Sequence, residues 1–379
     1  MKNVYFDNAA TTIVRDEVLD VMLRVMRERY GNPSSVHFMG RQAAGELAAA
    51  RKNIADALGC LSDDVYFTSG GTEADNLAII GCAEALARKG THILTSAIEH
   101  GAVMESVKKL ANAGWDVTYL MPDSAGRISA ESFAGALRQD TVFASIMLVN
   151  NETGAVNPLS EYSQEIKRRG LDTVLHTDAV QGFCKIPFTV KTLGAQLVSI
   201  SAHKIHGPKG AGALYIKNGI KLSPLLFGGG QESGKRPGTE ALPAAVGFGE
   251  AARLGKMELA ETSAAVRNIR EYISARLAAE LPEAVIIGHG DSPFILSLSL
   301  PGHKSEVLMN YLDGEGICVS KSAACKKGAR SRVLEAMRLN NKVIDGALRV
   351  SFSRYSTIDD AEYFVHALIH ASETLFKAL

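Results

Sequence analysis

The sequence is short of several things, and each shortage narrows its class. Net charge is absent: Lys+Arg and Asp+Glu each total 41, which argues against a nucleic-acid-binding surface as the main business. Long hydrophobic runs are absent too, since no stretch approaches the ~20 apolar residues of a membrane span. The start, Met1-Lys-Asn-Val-Tyr-Phe-Asp7-Asn8, lacks the apolar centre of a signal peptide, so a cytoplasmic protein is expected. Cysteine is sparse: Cys60, Cys82, Cys184, Cys318 and Cys325 are odd in number and have no C-x-x-C spacing. That argues against both a disulfide framework and a tetrahedral zinc site. There is no internal repeat and no low-complexity segment. What remains is a chain of 379 residues, 46% hydrophobic, with ample core for two or three domains of a soluble α/β protein.

Between about residues 60 and 216, strand-like and helix-like segments alternate. Val65–Thr68, His92–Thr95, Val117–Leu120, Thr141–Val149, Thr173–His176 and Leu197–Ile200 read as short apolar strands. Helical patterns such as Glu73–Arg88 and Gly101–Ala113 lie between them. This rhythm predicts a mostly parallel sheet with helices on both faces, whose ligands gather at the carboxyl ends of the strands. After the turn Phe227-Gly-Gly-Gly-Gln231, helical patterns cover roughly Ala241–Leu254 and Met257–Leu281, the second a predicted crossing between domains. Mixed strands and helices then suggest a smaller α+β domain over the last third.

The most informative stretch is Ser201-Ala-His203-Lys204-Ile-His206-Gly-Pro-Lys-Gly210, at the end of the apolar run Leu197–Ile200. A lysine at the mouth of a sheet, ringed by hydrogen bonders, suits a Schiff base to a carbonyl cofactor. The run Asp172–Gln181 ends its own strand in Asp178. Lysine and acid at neighbouring strand ends are the two partners pyridoxal phosphate needs: one holds the aldehyde, the other keeps the ring nitrogen protonated.

Other strand ends carry matching chemistry. Thr68-Ser-Gly-Gly-Thr72-Glu73 joins a strand to a helix, where glycines let backbone close around an anion and Thr72 adds a hydroxyl. Ser201, His203 and Gly238-Thr239 are candidates to complete such a phosphate cup. His100 is placed to stack on a pyridine ring or shuttle a proton. Asn150-Asn151 suits a cofactor oxygen or a substrate carboxylate. Arg349 and Arg354 flank the strand Val350–Ser353 and fall on opposite faces if it runs unbroken, so at most one enters a cleft to hold a carboxylate. A surface pair with Asp359 or Asp360 is the competing role for such an arginine. Cys60, Cys82 and Cys318 sit among apolar neighbours, as structural cysteines do. Cys325 instead lies in Ser320-Lys-Ser-Ala-Ala-Cys325-Lys-Lys-Gly, where nearby lysines favour the thiolate.

Taken in order, these motifs resemble the class V aminotransferase group of pyridoxal phosphate enzymes and, within it, the cysteine desulfurases of the NifS/IscS type. The likeness runs from Tyr5-Phe-Asp7-Asn8-Ala-Ala-Thr-Thr12 and Tyr30-Gly-Asn32-Pro-Ser-Ser-Val-His37 to Arg349-Val-Ser-Phe-Ser-Arg354. It implies a type I transferase fold: a large domain (14–255) with a seven-stranded, mostly parallel sheet, and a smaller α+β domain (256–379) joined by the arm 1–13. Lys204 would then carry the cofactor, with Asp178 at the pyridine nitrogen, Gln181 at the ring oxygen and His100 stacked on the ring. Thr72, Ser201 and His203 would bind the phosphate, joined by Thr239 from the other subunit of a homodimer. Asn151 and Arg354 would hold the substrate carboxylate with help from Asn32. Cys325 would take sulfur from L-cysteine as a persulfide, leaving alanine, and pass it to an acceptor protein. No metal is implied.

The chain also departs from the pattern. Ser-Lys-Ser-Ala-Ala-Cys325 replaces the frequent Ser-Gly-Ser-Ala-Cys, and Pro237 and Ala241 replace a common serine and asparagine. The basic run Lys326–Arg332 points to an acidic face on the acceptor, whether an iron–sulfur scaffold or a tRNA- or thiamine-thiolation protein. The alternatives are a selenocysteine lyase or an aminotransferase of the same group, and, more remotely, a non-catalytic cofactor-binding α/β module.

Overall fold

The computed structural model describes residues 2–321 and 330–376. After β1 (Val4–Tyr5) come β2 (Val65–Thr68), β3 (His92–Ser96), β4 (Asp116–Leu120) and β5 (Thr141–Ser145). β6 (Val174–Asp178), β7 (Leu197–Ser201) and β8 (Gly212–Ile216) follow. β2 to β8 form one sheet in the order β2-β8-β7-β6-β5-β3-β4. Only β8 runs antiparallel to its neighbours. Every residue of β3, β5, β6, β7 and β8 is buried, because helices cover both faces. That is why these strands read as unbroken apolar runs.

β5 is shorter than its apolar run. Beyond Ser145 the Ile146 and Leu148 amides still donate to the His176 and Asp178 carbonyls of β6 (3.2 and 2.9 Å) while the Met147 amide turns to the Glu99 carboxyl (3.0 Å), so this stretch parts from β3 but follows β6 to the cleft. The turn after β2 passes very close to β8: a Cβ on Gly212 would lie 2.5 Å from the Gly70 carbonyl carbon. Only a glycine there lets the helical stretch beginning at Gly71 start against the sheet.

A second apolar core, containing Val266, Ile273, Leu296, Leu348 and Phe364, is separate from those around the large sheet. It surrounds the strands β9 (Val285–Ile287) and β10 (Ile295–Ser299), then β11 (Ile317–Cys318), β12 (Ser320–Lys321) and β13 (Ala347–Ser351). Four of these form an antiparallel sheet in the order β12-β13-β10-β9. The helix Leu242–Met257 packs on Phe38–Leu58, where Gly249 permits close crossing at Ala50, whereas Leu259–Glu280 packs on Ile358–Thr374. The chain therefore changes cores at Glu258, between two helices rather than along one. β1 pairs with β11, and Asp7 bridges to Ser351, before the Thr12 amide reaches the His203 carbonyl at 2.9 Å. The N-terminal arm thus starts in the smaller core and ends on the larger sheet. Among the described residues no helix is long and apolar enough to cross a membrane.

Candidate active site

A cleft of about 390 Å³ opens at the carboxyl ends of β6 and β7. Thr72, His100 and Asn151 line it, with Asp178 and Gln181 from the end of β6 and Ser201, His203 and Lys204 from the end of β7. Lys204 ends the short 3-10 turn Ala202–Lys204 directly after β7, and its Nζ donates to the carbonyls of Ala9 (2.5 Å) and Ala10 (2.7 Å). Burial, aided by the charge of Arg349, lowers its pKa to about 8, against the pull of Asp178 and Asp7. That lowering raises the neutral share of this amine near neutral pH far above that of a free lysine, which suits it to act as a nucleophile.

Asp178 is buried at the end of β6 and accepts from the Val180 amide at 2.9 Å. Its pKa is raised by burial, while His100 and Lys204 favour the charged form. Asp75, on the helix Gly71–Asn76, is deeper still, and ligand atoms of Asp75, His100 and Asp178 lie within 4.8 Å of one another. Burial first, then the charge of Asp178, holds Asp75 well above the carboxylate range. Two acids so close do not both ionise, so Asp75 keeps a proton and Asp178 the charge. Beneath them His176 bonds to Ser145 (2.8 Å) and Ser199 (3.0 Å), and burial keeps it neutral, with a pKa of about 3.

His100 caps the helix Gly101–Asn112: its Nδ1 accepts from the Ala102 amide at 3.2 Å, which puts the proton of the neutral ring on Nε2. His203 contacts the Thr11 hydroxyl at 3.2 Å and is held near pKa 4 by burial and then by Lys204 and Lys185, so it is neutral. The Ser201 hydroxyl is buried with no protein partner. Gln181 donates through Nε2 to the Ala9 carbonyl (2.9 Å) and accepts at Oε1 from Lys185 (3.1 Å).

The arginine that enters this cleft is Arg349, not Arg354. Arg349 lies on β13, buried, with Nη2 on Asp7 (2.9 Å) and Nη1 on the Asn151 carbonyl (3.0 Å). Arg354 lies past the strand and pairs with Glu258, which also binds Arg15, in a separate inner cavity behind Lys204. Its partner is thus neither Asp359 nor Asp360. Asn32 and Thr239 are exposed and do not line the cleft. Asn32 instead accepts from the Ser34 amide at 2.9 Å. Cys325 lies outside the described residues. Cys318 is exposed rather than buried, because β11 turns Ile317 inward and Cys318 outward. Past the undescribed stretch, Ser331 donates to Glu152 and Arg332 to the Glu99 carbonyl, tying that segment to the cleft rim.

Residues 4–364 match the class-V aminotransferase family model. The chain belongs to the class-V aminotransferase family. Within the class-V aminotransferases it is 39% identical over 378 residues to a protein of Dictyoglomus turgidum named cysteine desulfurase IscS, covering 99% of this chain and 95% of that one. A solved NifS-like protein superposes with a TM-score of 0.94 at 37% identity, covering 99% and 100% of the two chains. Another, described as SspA in complex with cysteine, gives a TM-score of 0.81 at 32% identity, covering 94% and 100%.

Proposed function

We propose that this class-V aminotransferase is a pyridoxal phosphate-dependent cysteine desulfurase, converting L-cysteine and the Cys325 thiol into L-alanine and a Cys325 persulfide. The supporting observation is the convergence of Lys204, Asp178 and Arg349 on one cleft. The residues there fit the cofactor. Lys204 is an amine of lowered pKa for the aldehyde, Asp178 a buried carboxylate for the ring nitrogen, and Ser201 a buried hydroxyl in need of a partner for the phosphate. Thr72 and His203 line the same cleft and would join Ser201 at the phosphate, Gln181 would meet the ring oxygen, and His100 would stack on the ring. When bound, the cofactor supplies an electron sink that acidifies the substrate Cα–H.

The chain's own residues do the rest. Arg349, held by Asp7 and the Asn151 carbonyl, presents its guanidinium to the substrate carboxylate, the role that Arg354 cannot fill from behind Lys204. The Lys204 amine, once free, moves the Cα proton, and His100 is the candidate for the substrate thiol proton, which it accepts at Nε2 only after its own proton shifts to Nδ1 and the Ala102 amide is released. The Cys325 thiolate attacks the substrate sulfur, so the S–S bond forms as the substrate Cβ–S bond breaks, and the electron pair left on the carbon side takes up a proton at Cβ to give alanine. The protein acts in the cytoplasm as a homodimer, with residues 14–255 as the cofactor domain and residues 1–13 and 256–379 as the smaller one. Exposed Thr239 completes the phosphate cup of the second subunit, and Asn32 assists at the substrate carboxylate.

The acceptor is an iron–sulfur scaffold or a thiolation protein with an acidic docking face. Of the basic residues after Cys325, Arg330 is engaged by Asp345 at 2.9 Å and Arg332 by the Glu99 carbonyl at 2.6 Å, so the docking role falls to Lys326 and Lys327. Sulfur transfer unaffected by charge reversal at those lysines removes that support. The direct test is incubation of the yellow protein with L-cysteine and a reductant. Equimolar sulfide and alanine, lost in Cys325→Ala with colour retained, fit the proposal. Unchanged activity in that variant moves the reading to a selenocysteine lyase or aminotransferase.

A further inference from the structure

Lys185 has no part in the chemistry above, yet it is buried beside the cleft with only 6% of its surface exposed. It follows Gln181 by one turn of chain, and its Nζ donates to Gln181 Oε1 at 3.1 Å. Its charged surroundings are mostly cationic. Lys204 and Arg349 act on it from the cleft side, and burial with their charges lowers its pKa to about 7. Across a small inner cavity of about 40 Å³ stand Arg15, His206, Arg354 and Glu258. The Glu258 carboxylate is already taken by Arg15 and Arg354. A buried ammonium without a carboxylate is costly, so core packing gives no reason for a lysine here. What it does have is the amide of Gln181.

We propose that Lys185 is a positioning residue: it pins Gln181 Oε1 so that the Nε2 group faces the cleft as a strengthened donor to the cofactor's ring oxygen. As an ammonium, the form that prevails below its pKa of about 7, Lys185 can only donate, so the amide then meets it through oxygen alone and its NH₂ must turn the other way. One hydrogen of that NH₂ goes to the Ala9 carbonyl at 2.9 Å, which leaves the second for the cleft. A positive donor on Oε1 also polarises the amide, which strengthens the Nε2 donor. This role rests on the pyridoxal phosphate reading.

The test is a double-mutant cycle on the affinity of the apo-protein for pyridoxal phosphate, read together with the visible and near-ultraviolet bands of the loaded protein. Lys185→Met is expected to weaken cofactor binding roughly 5- to 10-fold, about the net worth of one ordinary hydrogen bond. It should also lower the ratio of visible to near-ultraviolet absorbance, because the anionic ring oxygen loses its donor. Lys185→Met with Gln181→Ala should bind no more weakly than Gln181→Ala alone. Lys185→Arg keeps a donor-only cation, with the inner cavity giving it room, and should restore both readouts. Additive penalties in the cycle, or an unchanged band ratio in a folded Lys185→Met protein, overturn the proposal while leaving the parent reading intact. A wild-type protein that takes up no pyridoxal phosphate overturns both.

Discussion

Replacing Arg349 and Arg354 in turn separates two arginines that the local sequence cannot tell apart. Arg349 is buried and held from two sides, by Asp7 at 2.9 Å and the Asn151 carbonyl at 3.0 Å, and its guanidinium lines the cleft. Truncating one member of a buried, hydrogen-bonded charge pair costs about 2–5 kcal/mol, so Arg349→Ala should lower kcat/KM for L-cysteine roughly 30- to 4,000-fold. Most of the loss should appear in KM, since the carboxylate is bound in ground and transition states alike. Cofactor uptake should survive, because the groups proposed to hold it are untouched. Arg349→Lys should recover only part, as an ammonium cannot reproduce a bidentate fork. Arg354→Ala breaks a half-exposed pair with Glu258 and should cost under about 10-fold, with about 1 kcal/mol of stability. Steady-state alanine release for the three variants, with thermal melts to confirm folding, decides the matter. A larger KM effect from Arg354→Ala than from Arg349→Ala refutes the reasoning.

Glu99 is a carboxyl that burial raises to about 8, above its unfolded value. Its stabilising effect is therefore full below pH ~4.5 and lost as pH rises through 8. Glu99→Gln should flatten the fall in Tm between pH 5 and 9, and a slope unchanged by the substitution contradicts this. Glu232 accepts from Arg51 at 2.6 and 2.7 Å and from the Phe67 amide at 2.7 Å while almost wholly buried. Glu232→Ala should cost about 3–5 kcal/mol in urea unfolding by leaving Arg51 unpaired. Two glycines should respond oppositely. Gly249→Ala places a methyl 2.5 Å from the Ala50 Cα and should destabilise by about 1–3 kcal/mol. Gly45→Ala meets nothing within 4 Å in the middle of a helix and should stabilise by about 0.5–1 kcal/mol.

Lys204 and Asp178 were legible because a parallel sheet gathers its chemistry at strand carboxyl ends, and apolar runs mark those ends. The same logic found Thr72, His100 and Ser201. It could not choose between Arg349 and Arg354, since alternation says only that they differ in face. The deciding partner, Asp7, is 342 positions away. The carbonyls of Ala9 and Ala10 left no signal either, because backbone acceptors have no residue signature. Asp75 lies three positions after Thr72 on one helix, so its shared face was readable once Thr72 was placed. The core change at Glu258 was hidden because both flanking segments are helical, and only packing partners distinguish them.

The order of synthesis runs against the order of assembly in this molecule. The carbonyls that hold Lys204 emerge from the ribosome almost two hundred residues before the lysine itself. The strand partners that hold the same arm, Ile317, Cys318 and Ser351, come later still. The arm that meets the Lys204 amine is therefore fixed at both ends only after the last third of the chain exists, although Gln181 and His203 already bind it from the large-sheet side. A ribosome stalled before β13 should carry a formed sheet whose Lys204 meets an arm tethered at one end only, by Gln181 and His203.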